Sequence, residues 1–209
     1  QNSGLGNVIN PLLSIADRDV YSIPMILLIG WRGEPDVKDE PQHKKQGRIT
    51  IDLLETMEVP FEILNSSTNP EEANKLIKKI IDISRKEKRP CALVVSKGTF
   101  SSYELKNKEI FDRPLSREKA IELSLKEFSD DDIVVSTTGV TSRELFELRQ
   151  KFGQGHKNDF LTVGGMGHAS QIALGIALDR KDKEIFCLDG DGAFLMHMGS
   201  IAINGSIRC

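Results

Sequence analysis

The sequence predicts an α/β protein built on parallel sheets, and three observations predict it. Short apolar runs recur at Pro24 to Gly30, Cys91 to Ser96, Ile133 to Ser136 and Ile185 to Leu188, the pattern of strands buried on both faces. Segments with helical periodicity separate these runs. In the second half the runs lead into small, polar or glycine-rich turns, and ligands of parallel α/β sheets gather at such strand ends.

Taken in order, Pro24 to Gly30 is the first strand, followed by a polar loop from Trp31 to Gly47. Arg48 to Met57 reads as a helix and Pro60 to Leu64 as a short strand. Asn69 caps a helix with Pro70 at its first position and Glu71 and Glu72 behind it; the Asn side chain accepts from a free amide, and proline gives up an amide that has no helical partner. Ala73, Leu76, Ile77, Ile80, Ile81 and Ser84 recur at three- and four-residue steps and form one apolar face. Pro90 ends the helix, and Cys91 to Ser96 is the next strand. The stretch from Lys97 to Ser116 is charged and turn-rich, so 1–98 and 116–209 read as two domains joined by a linker at 99–115. Ser116 to Phe128 reads as a helix, Asp130 to Asp132 as a turn and Ile133 to Ser136 as a strand. Thr141 and Glu144 have the spacing of a capping box for a helix running toward Gln150. Phe160 to Val163, His168 to Leu178 and Glu184 to Leu188 follow as strand, helix and strand.

Composition narrows the function classes. A net charge of −3, with no basic stripe interleaved with aromatics, argues against a nucleic-acid partner. The basic run Arg85 to Arg89 contains Glu87 and ends a predicted helix, where cations offset the dipole. Cys91, Cys187 and Cys209 are too few and too scattered for a disulfide framework or a zinc site. Cys91 and Cys187 sit in apolar runs, where a free thiol behaves as a small hydrophobe. No apolar run approaches membrane-spanning length. The cytoplasm is the expected compartment, with no membrane partner.

Asp189-Gly190-Asp191-Gly192-Ala193 follows the strand Ile185 to Leu188 directly. Its glycines let the backbone approach a phosphate and aim N–H groups at it. Asp191 is a hard oxygen ligand of the kind Mg2+ takes when it bridges a diphosphate. A plain surface turn is the alternative, since Asp-Gly pairs form turns readily. A calcium loop starting at Asp189 fails, because its twelfth position is Ser200 and not a carboxylate. A second glycine turn, Gly164-Gly165-Met166-Gly167, lies between the strand ending at Val163 and the helix starting near His168. Gly165, Gly167 and Ser170 nearly match a dinucleotide fingerprint, with Asp189 lying 24 residues beyond Gly165. The third glycine is absent, however, and the fingerprint leaves the Gly-Asp-Gly turn unexplained. A dinucleotide-binding or non-catalytic α/β interaction protein stays open at this point. The third turn, Ser136-Thr137-Thr138-Gly139, places small hydroxyl residues before a helix, which suits either an anion or simple capping.

The wider text adds a resemblance. IGWRGEPDVKDEPQHKKQG (Ile29 to Gly47), STTGVTSRELFELR (Ser136 to Arg149), GGMGHASQIALGIAL (Gly164 to Leu178) and CLDGDGAFLMHMGS (Cys187 to Ser200) resemble thiamine diphosphate-dependent 2-oxo acid decarboxylases. The resemblance implies a thiamine diphosphate-binding fold of two doubly wound parallel-sheet domains, each incomplete here. Residues 1–98 would be the later part of a pyrimidine-binding domain, and 116–209 the earlier part of a diphosphate-binding domain. It implies thiamine diphosphate and Mg2+ as cofactors, a small anionic 2-oxo acid as substrate and a homo-oligomer. The reaction implied is decarboxylation of 3-phosphonopyruvate to phosphonoacetaldehyde and CO2, with sulfopyruvate as the alternative substrate.

Residue by residue, the resemblance gives Asp191 to Mg2+ and sets Gly190, Gly192 and Ala193 around the diphosphate. Thr138 and Gly139 contact the diphosphate from the neighbouring turn, and Gly167 completes the Gly-Met-Gly turn. The Gly165 carbonyl accepts from the aminopyrimidine, and Met166 supports the bent cofactor. In the first half, Asn2 to Asn7 matches a loop of the pyrimidine-binding domain. His43 is the candidate catalytic or substrate contact, in a loop expected to face the substrate, and Arg32 and Lys38 would attract its anionic group. An activating glutamate would lie ahead of Gln1, and an Asn-containing metal motif would lie further past Asp191 than Asn204, which follows by only 13 positions. A chain missing these parts is expected to be inactive by itself.

Overall fold

The computed structural model describes residues 1–106 and 113–207. The expected linker at 99–115 therefore lies partly outside the described residues. The chain forms two compact units that divide near residue 107.

In the first unit a 3-10 turn, Asn2–Gly4, leads into α1 (Leu5–Pro11) and a π-turn, Leu12–Ala16. Then come β1 (Met25–Gly30), α2 (Pro41–Thr56), β2 (Phe61–Leu64), α3 (Pro70–Glu87) and β3 (Pro90–Val95). The strands pair in parallel in the order β1-β3-β2, with Leu28 opposite Leu93 and Ile63 opposite Val94. Every residue of β3 is buried. Its alternate side chains serve two cores, because successive residues of a strand point to opposite faces. Ala92 and Val94 pack with Leu5, Ile29, Leu54 and Val59 under α1 and α2, while Cys91 and Leu93 pack with Leu64 and Ile80 under α3. Asn69 caps α3 as expected, its side chain accepting from the Glu72 amide at 2.9 Å.

The second unit repeats the plan with α4 (Arg117–Glu127), β4 (Ile133–Ser136), α5 (Val140–Lys151), β5 (Asp159–Leu161), α6 (Ala169–Asp179), β6 (Ile185–Leu188), α7 (Asp191–Met196) and α8 (Ser200–Ser206). Its parallel sheet runs β5-β4-β6. Val134 faces Leu125, Leu145 and Leu148 on one side, and Val135 faces Ala169 and Ala173 on the other. Both sheets thus carry helices on both faces, the doubly wound α/β arrangement.

Four expectations are corrected. Helix α2 begins at Pro41, seven residues before Arg48; its N-cap is Glu40 with no side-chain cap, and Gly47 sits inside it because a Cβ there would overlap the Gly33 carbonyl. The Thr141–Glu144 capping box does not form: α5 starts from Gly139 at φ +92°. Glu144 instead takes two bonds from Arg117, at 2.7 and 2.8 Å. Strand β1 is buried on one face only, with Ile26 and Leu28 exposed, because α3 packs chiefly over β2 and β3. Cys187, on edge strand β6, is exposed, whereas Cys91 is fully buried with its thiol pushed up by desolvation.

One buried ion pair ties α5 to β5. Arg149 donates to both oxygens of Asp159, at 2.9 and 3.2 Å, and to Gln154. The two side chains are 6% and 1% exposed. Removing Arg149 leaves the buried Asp159 carboxylate with only His156 Nδ1 beside it, at 3.4 Å, so Arg149→Ala is expected to destabilise the second unit by up to about 3–5 kcal/mol. Urea denaturation followed by circular dichroism checks this, and a loss below about 0.5 kcal/mol would contradict it.

Candidate functional site

Because β4 lies between β5 and β6 and all three run in parallel, their carboxyl ends share one edge. Three bonds bind the departing turns there. The Thr137 amide donates to the Leu188 carbonyl at 2.8 Å, joining the ends of β4 and β6. The Thr162 amide and hydroxyl both donate to the Ser136 carbonyl, at 3.3 and 2.8 Å, joining β4 and β5. Beneath them, the Ser142 hydroxyl contacts the Ser136 hydroxyl and the Thr137 carbonyl, each at 2.7 Å.

The sequence-predicted residues fall on this edge. Thr138 is half-buried and Gly139 exposed, in the turn that opens α5. Gly165 and Gly167 take φ of +65° and +92°, backbone angles that favour glycine. Met166 is 45% exposed, and its Cε lies 3.3 Å from where a Cβ on Gly192 would stand. Gly190 is the N-cap of α7 and lies against the Thr137 methyl, at 3.6 Å from its Cβ position. Asp191 is exposed in the first turn of α7, and Ala193 is buried.

Three atoms are placed differently from expectation. The Gly190 and Gly192 amides, expected to face a phosphate, donate to the Asp189 and Asp191 carboxylates at 2.9 and 2.8 Å. This short-range bond is the local option an Asp offers the following backbone. The Gly165 carbonyl already accepts from His168 twice, from its amide at 3.2 Å and from ring Nδ1 at 2.9 Å. A further donor there would have to displace the ring.

Sequence reasoning missed two histidines and left the role of Thr137 open between anion contact and capping. Thr137 is 5% exposed, and its hydroxyl is buried with no hydrogen-bond partner. The His168 and His197 rings lie against each other, tilted, at a centroid distance of 4.6 Å, and His197 Nε2 is also buried without a partner. The signals for Thr137 were its position just past a strand end and its hydroxyl in a turn before a helix. Nothing in the spacing of His168 and His197 foretold their contact.

Among the described residues no three His, Cys, Asp or Glu side chains cluster as a metal cage. The donor set suits Mg2+ arriving with a phosphate, since that ion is held by one or two carboxylates together with phosphate oxygens and water. The exposed Asp191 carboxylate and the buried, unpartnered hydroxyl of Thr137, whose methyl lies against Gly190, fit such a group.

In the first unit, His43 lies in the first turn of α2, half-buried, and not in a loop. Asn2 is likewise helical and 1% exposed. Its side chain donates to the Arg32 carbonyl at 2.8 Å and to the Thr50 hydroxyl at 2.9 Å, and accepts from the Arg32 amide at 3.1 Å. Lys38 is exposed. Arg32 is bound bidentately by Asp39, at 2.6 and 2.8 Å, which corrects its expected role as a cation open to substrate.

Residues 138–204, which contain every residue expected to hold the cofactor, match the family of the thiamine pyrophosphate enzyme, C-terminal TPP binding domain. More particularly, the chain is homologous to phosphonopyruvate decarboxylases along nearly its whole length. It is 34% identical to the enzyme of Streptomyces viridochromogenes over 221 residues, which is 99% of this chain and 53% of that protein. Against the Streptomyces hygroscopicus enzyme the identity is 32%, over 97% of this chain and 52% of that one. A sulfopyruvate decarboxylase subunit beta of Methanococcus maripaludis is 38% identical over 91 residues, 44% of this chain and 45% of that protein. The chain spans about half the length of the curated relatives it matches. The α/β fold is of the thiamine diphosphate-binding kind.

The Arg32–Asp39 pair yields a pH prediction. The hydrogen bond from Arg32, helped by the Gly33 and Glu40 amides, holds the Asp39 carboxyl well below the usual carboxylate range. A depressed folded value stabilises the chain above the ordinary carboxylate pKa of about 3.9 and is lost as pH falls through the folded value. Wild type should therefore lose melting temperature below about pH 4 more steeply than Asp39→Asn. Parallel melting curves for the two proteins between neutral pH and strong acid would contradict the assignment.

Proposed function

We propose that this chain supplies part of a thiamine diphosphate- and Mg2+-dependent decarboxylase whose substrate is 3-phosphonopyruvate. The reading rests above all on one observation: three turns from β4, β5 and β6 meet at one sheet edge, where Thr137 packs its methyl on Gly190 and carries a buried hydroxyl with no partner. The similarity to phosphonopyruvate decarboxylases over 99% of the chain supports the substrate class. Sulfopyruvate is the second reading, supported by the similarity to a sulfopyruvate decarboxylase subunit.

When bound, the cofactor supplies an electron sink for the bond broken as CO2 leaves. The chain's own residues position and neutralise. Asp191 offers a carboxylate oxygen to Mg2+ at the N-terminus of α7. Gly190, Gly192 and Ala193 let the backbone lie close to the diphosphate, and Thr138 and Gly139 approach it from the β4 turn. Met166, between glycines at positive φ, is the apolar support, with Gly165 and Gly167 shaping its turn. His43 is the candidate substrate contact from the first unit. A small anionic 2-oxo acid is the partner proposed, in a homo-oligomer in the cytoplasm. None of the described helices is long and apolar enough to cross a membrane, and no nucleic-acid partner is proposed.

Calorimetric titration with thiamine diphosphate, with and without Mg2+, tests the reading. Binding should require Mg2+ and disappear in Asp191→Ala; binding unaffected by either change would overturn the site. Thr137→Val gives an opposed pair of effects. Removing an unpaired buried hydroxyl should stabilise the unliganded chain by about 1 kcal/mol while weakening cofactor binding. A variant that binds as well as wild type removes Thr137 from the site.

A further inference from the structure

The Gly165–Gly167 turn and helix α7 come from different strands, and no backbone hydrogen bond links them among the described residues. Side chains join them at two places. At one end Met166 reaches over Gly192. At the other, a Cβ on Gly167 would stand 2.5 Å from His197 Cδ2 and 3.1 Å from the Ala193 carbonyl oxygen. The His197 ring therefore fills the notch that Gly167 leaves open. His168, the next residue, donates Nδ1–H to the Gly165 carbonyl at 2.9 Å, closing the turn on itself. The acceptor is a carbonyl, so that nitrogen must carry the proton. The His168 ring then lies against His197 with planes tilted 51°, the two centroids 4.6 Å apart. His197 Nε2 has no partner, so that nitrogen gives the ring no hydrogen-bond anchor and its hold is packing.

We propose that His168 and His197 are positioning residues forming a two-ring clasp that holds the Gly165–Gly167 turn in register with α7. Its significance for ligand binding rests on the proposed diphosphate site, but the clasp itself is a property of the unliganded chain. The two rings contribute differently. His168 acts through a donor and a ring face, whereas His197 acts through ring volume in the Gly167 notch. Conservative replacements should therefore rescue them in opposite ways. Phenylalanine serves at 197, where shape matters. Asparagine serves at 168, where its side-chain amide can take the place of Nδ1–H.

Amide hydrogen exchange on the full chain is the first readout. His168→Ala and His197→Ala should speed exchange at both Gly165–His168 and Ala193–His197 by about threefold to tenfold, the loss of one hydrogen bond at 168 and of ring packing at 197. Exchange in β3 of the first unit stays unchanged. His197→Phe and His168→Asn should return exchange to near wild type, while His168→Phe should not. Titration with Mg2+ and inorganic diphosphate is the second readout, with affinity expected to fall by the same factor in the alanine variants.

Unchanged exchange in the turn, uniform acceleration throughout the second unit, or His197→Phe behaving like His197→Ala would each overturn the clasp. Crossed rescue in a wild type that binds no diphosphate would uphold the clasp and remove the diphosphate reading. Diphosphate binding with exchange unaltered in every variant would do the reverse.

Discussion

Parallel pairing of β4 with β5 on one side and β6 on the other sends three chain segments out of the sheet in the same direction. The pairing is stable because Val134 and Val135 are both fully buried, one under α4 and α5 and the other under α6. Moving the register of β4 by one residue would exchange these two faces. It would carry Thr137 and the turn behind it to the wrong side. The geometry of the candidate site is therefore a consequence of core packing on two faces, and the turn residues need only be small enough to meet.

Buried polar groups make that edge stiff. The Ser136, Ser142 and Thr162 hydroxyls and the Ser136 and Thr137 carbonyls form a connected set at the end of β4. A satisfied buried network favours one arrangement, because any slip strands a polar group away from water. The Thr137 hydroxyl stands at the margin of this set without a partner. An unpaired buried hydroxyl costs about 1–3 kcal/mol. The neighbouring network, which holds Thr137 in place through its carbonyl, helps such a cost persist. The first unit uses the same device in Asn2, whose buried amide fastens the segment after β1 to α2.

Much of the fold was legible in the sequence for a simple reason: strand cores and the α3 face are written in apolar spacing. Asn69 with Pro70 marked a helix start correctly because the capping chemistry is local. Features that depend on a distant neighbour were not legible. Gly47 reads as the end of a loop, yet it is required inside α2 because the Gly33 backbone, 14 residues earlier, passes against it. Thr141 and Glu144 have capping-box spacing, but Gly139 turns the chain at positive φ and Glu144 finds Arg117, 27 residues away. At the candidate site, the glycine turn at 165–167 was readable from turn chemistry, and both glycines take positive φ. The bond from the His168 ring to the Gly165 carbonyl was not readable, because no spacing encodes a ring's orientation.

Charge in the first unit follows from the same kind of distant pairing. An arginine near an expected anion site invites assignment as its receptor, but a guanidinium whose fork is filled by a carboxylate has little charge left to offer. Arg32 is in that state, and Asp39 is fixed further by the Gly33 and Glu40 amides. Its role is to shape the segment between β1 and α2. The surface groove beside it is lined also by Lys38, Lys44 and Lys97, none of which makes an ion pair among the described residues, and by the carboxylates Asp36 and Glu40. Any attraction for an anion there must come from these lysines against two exposed acids. Such exposed charges act weakly and are screened by salt. Anion selectivity in this unit would therefore depend on how closely a ligand approaches individual ammonium groups, and little on the net charge of the surface.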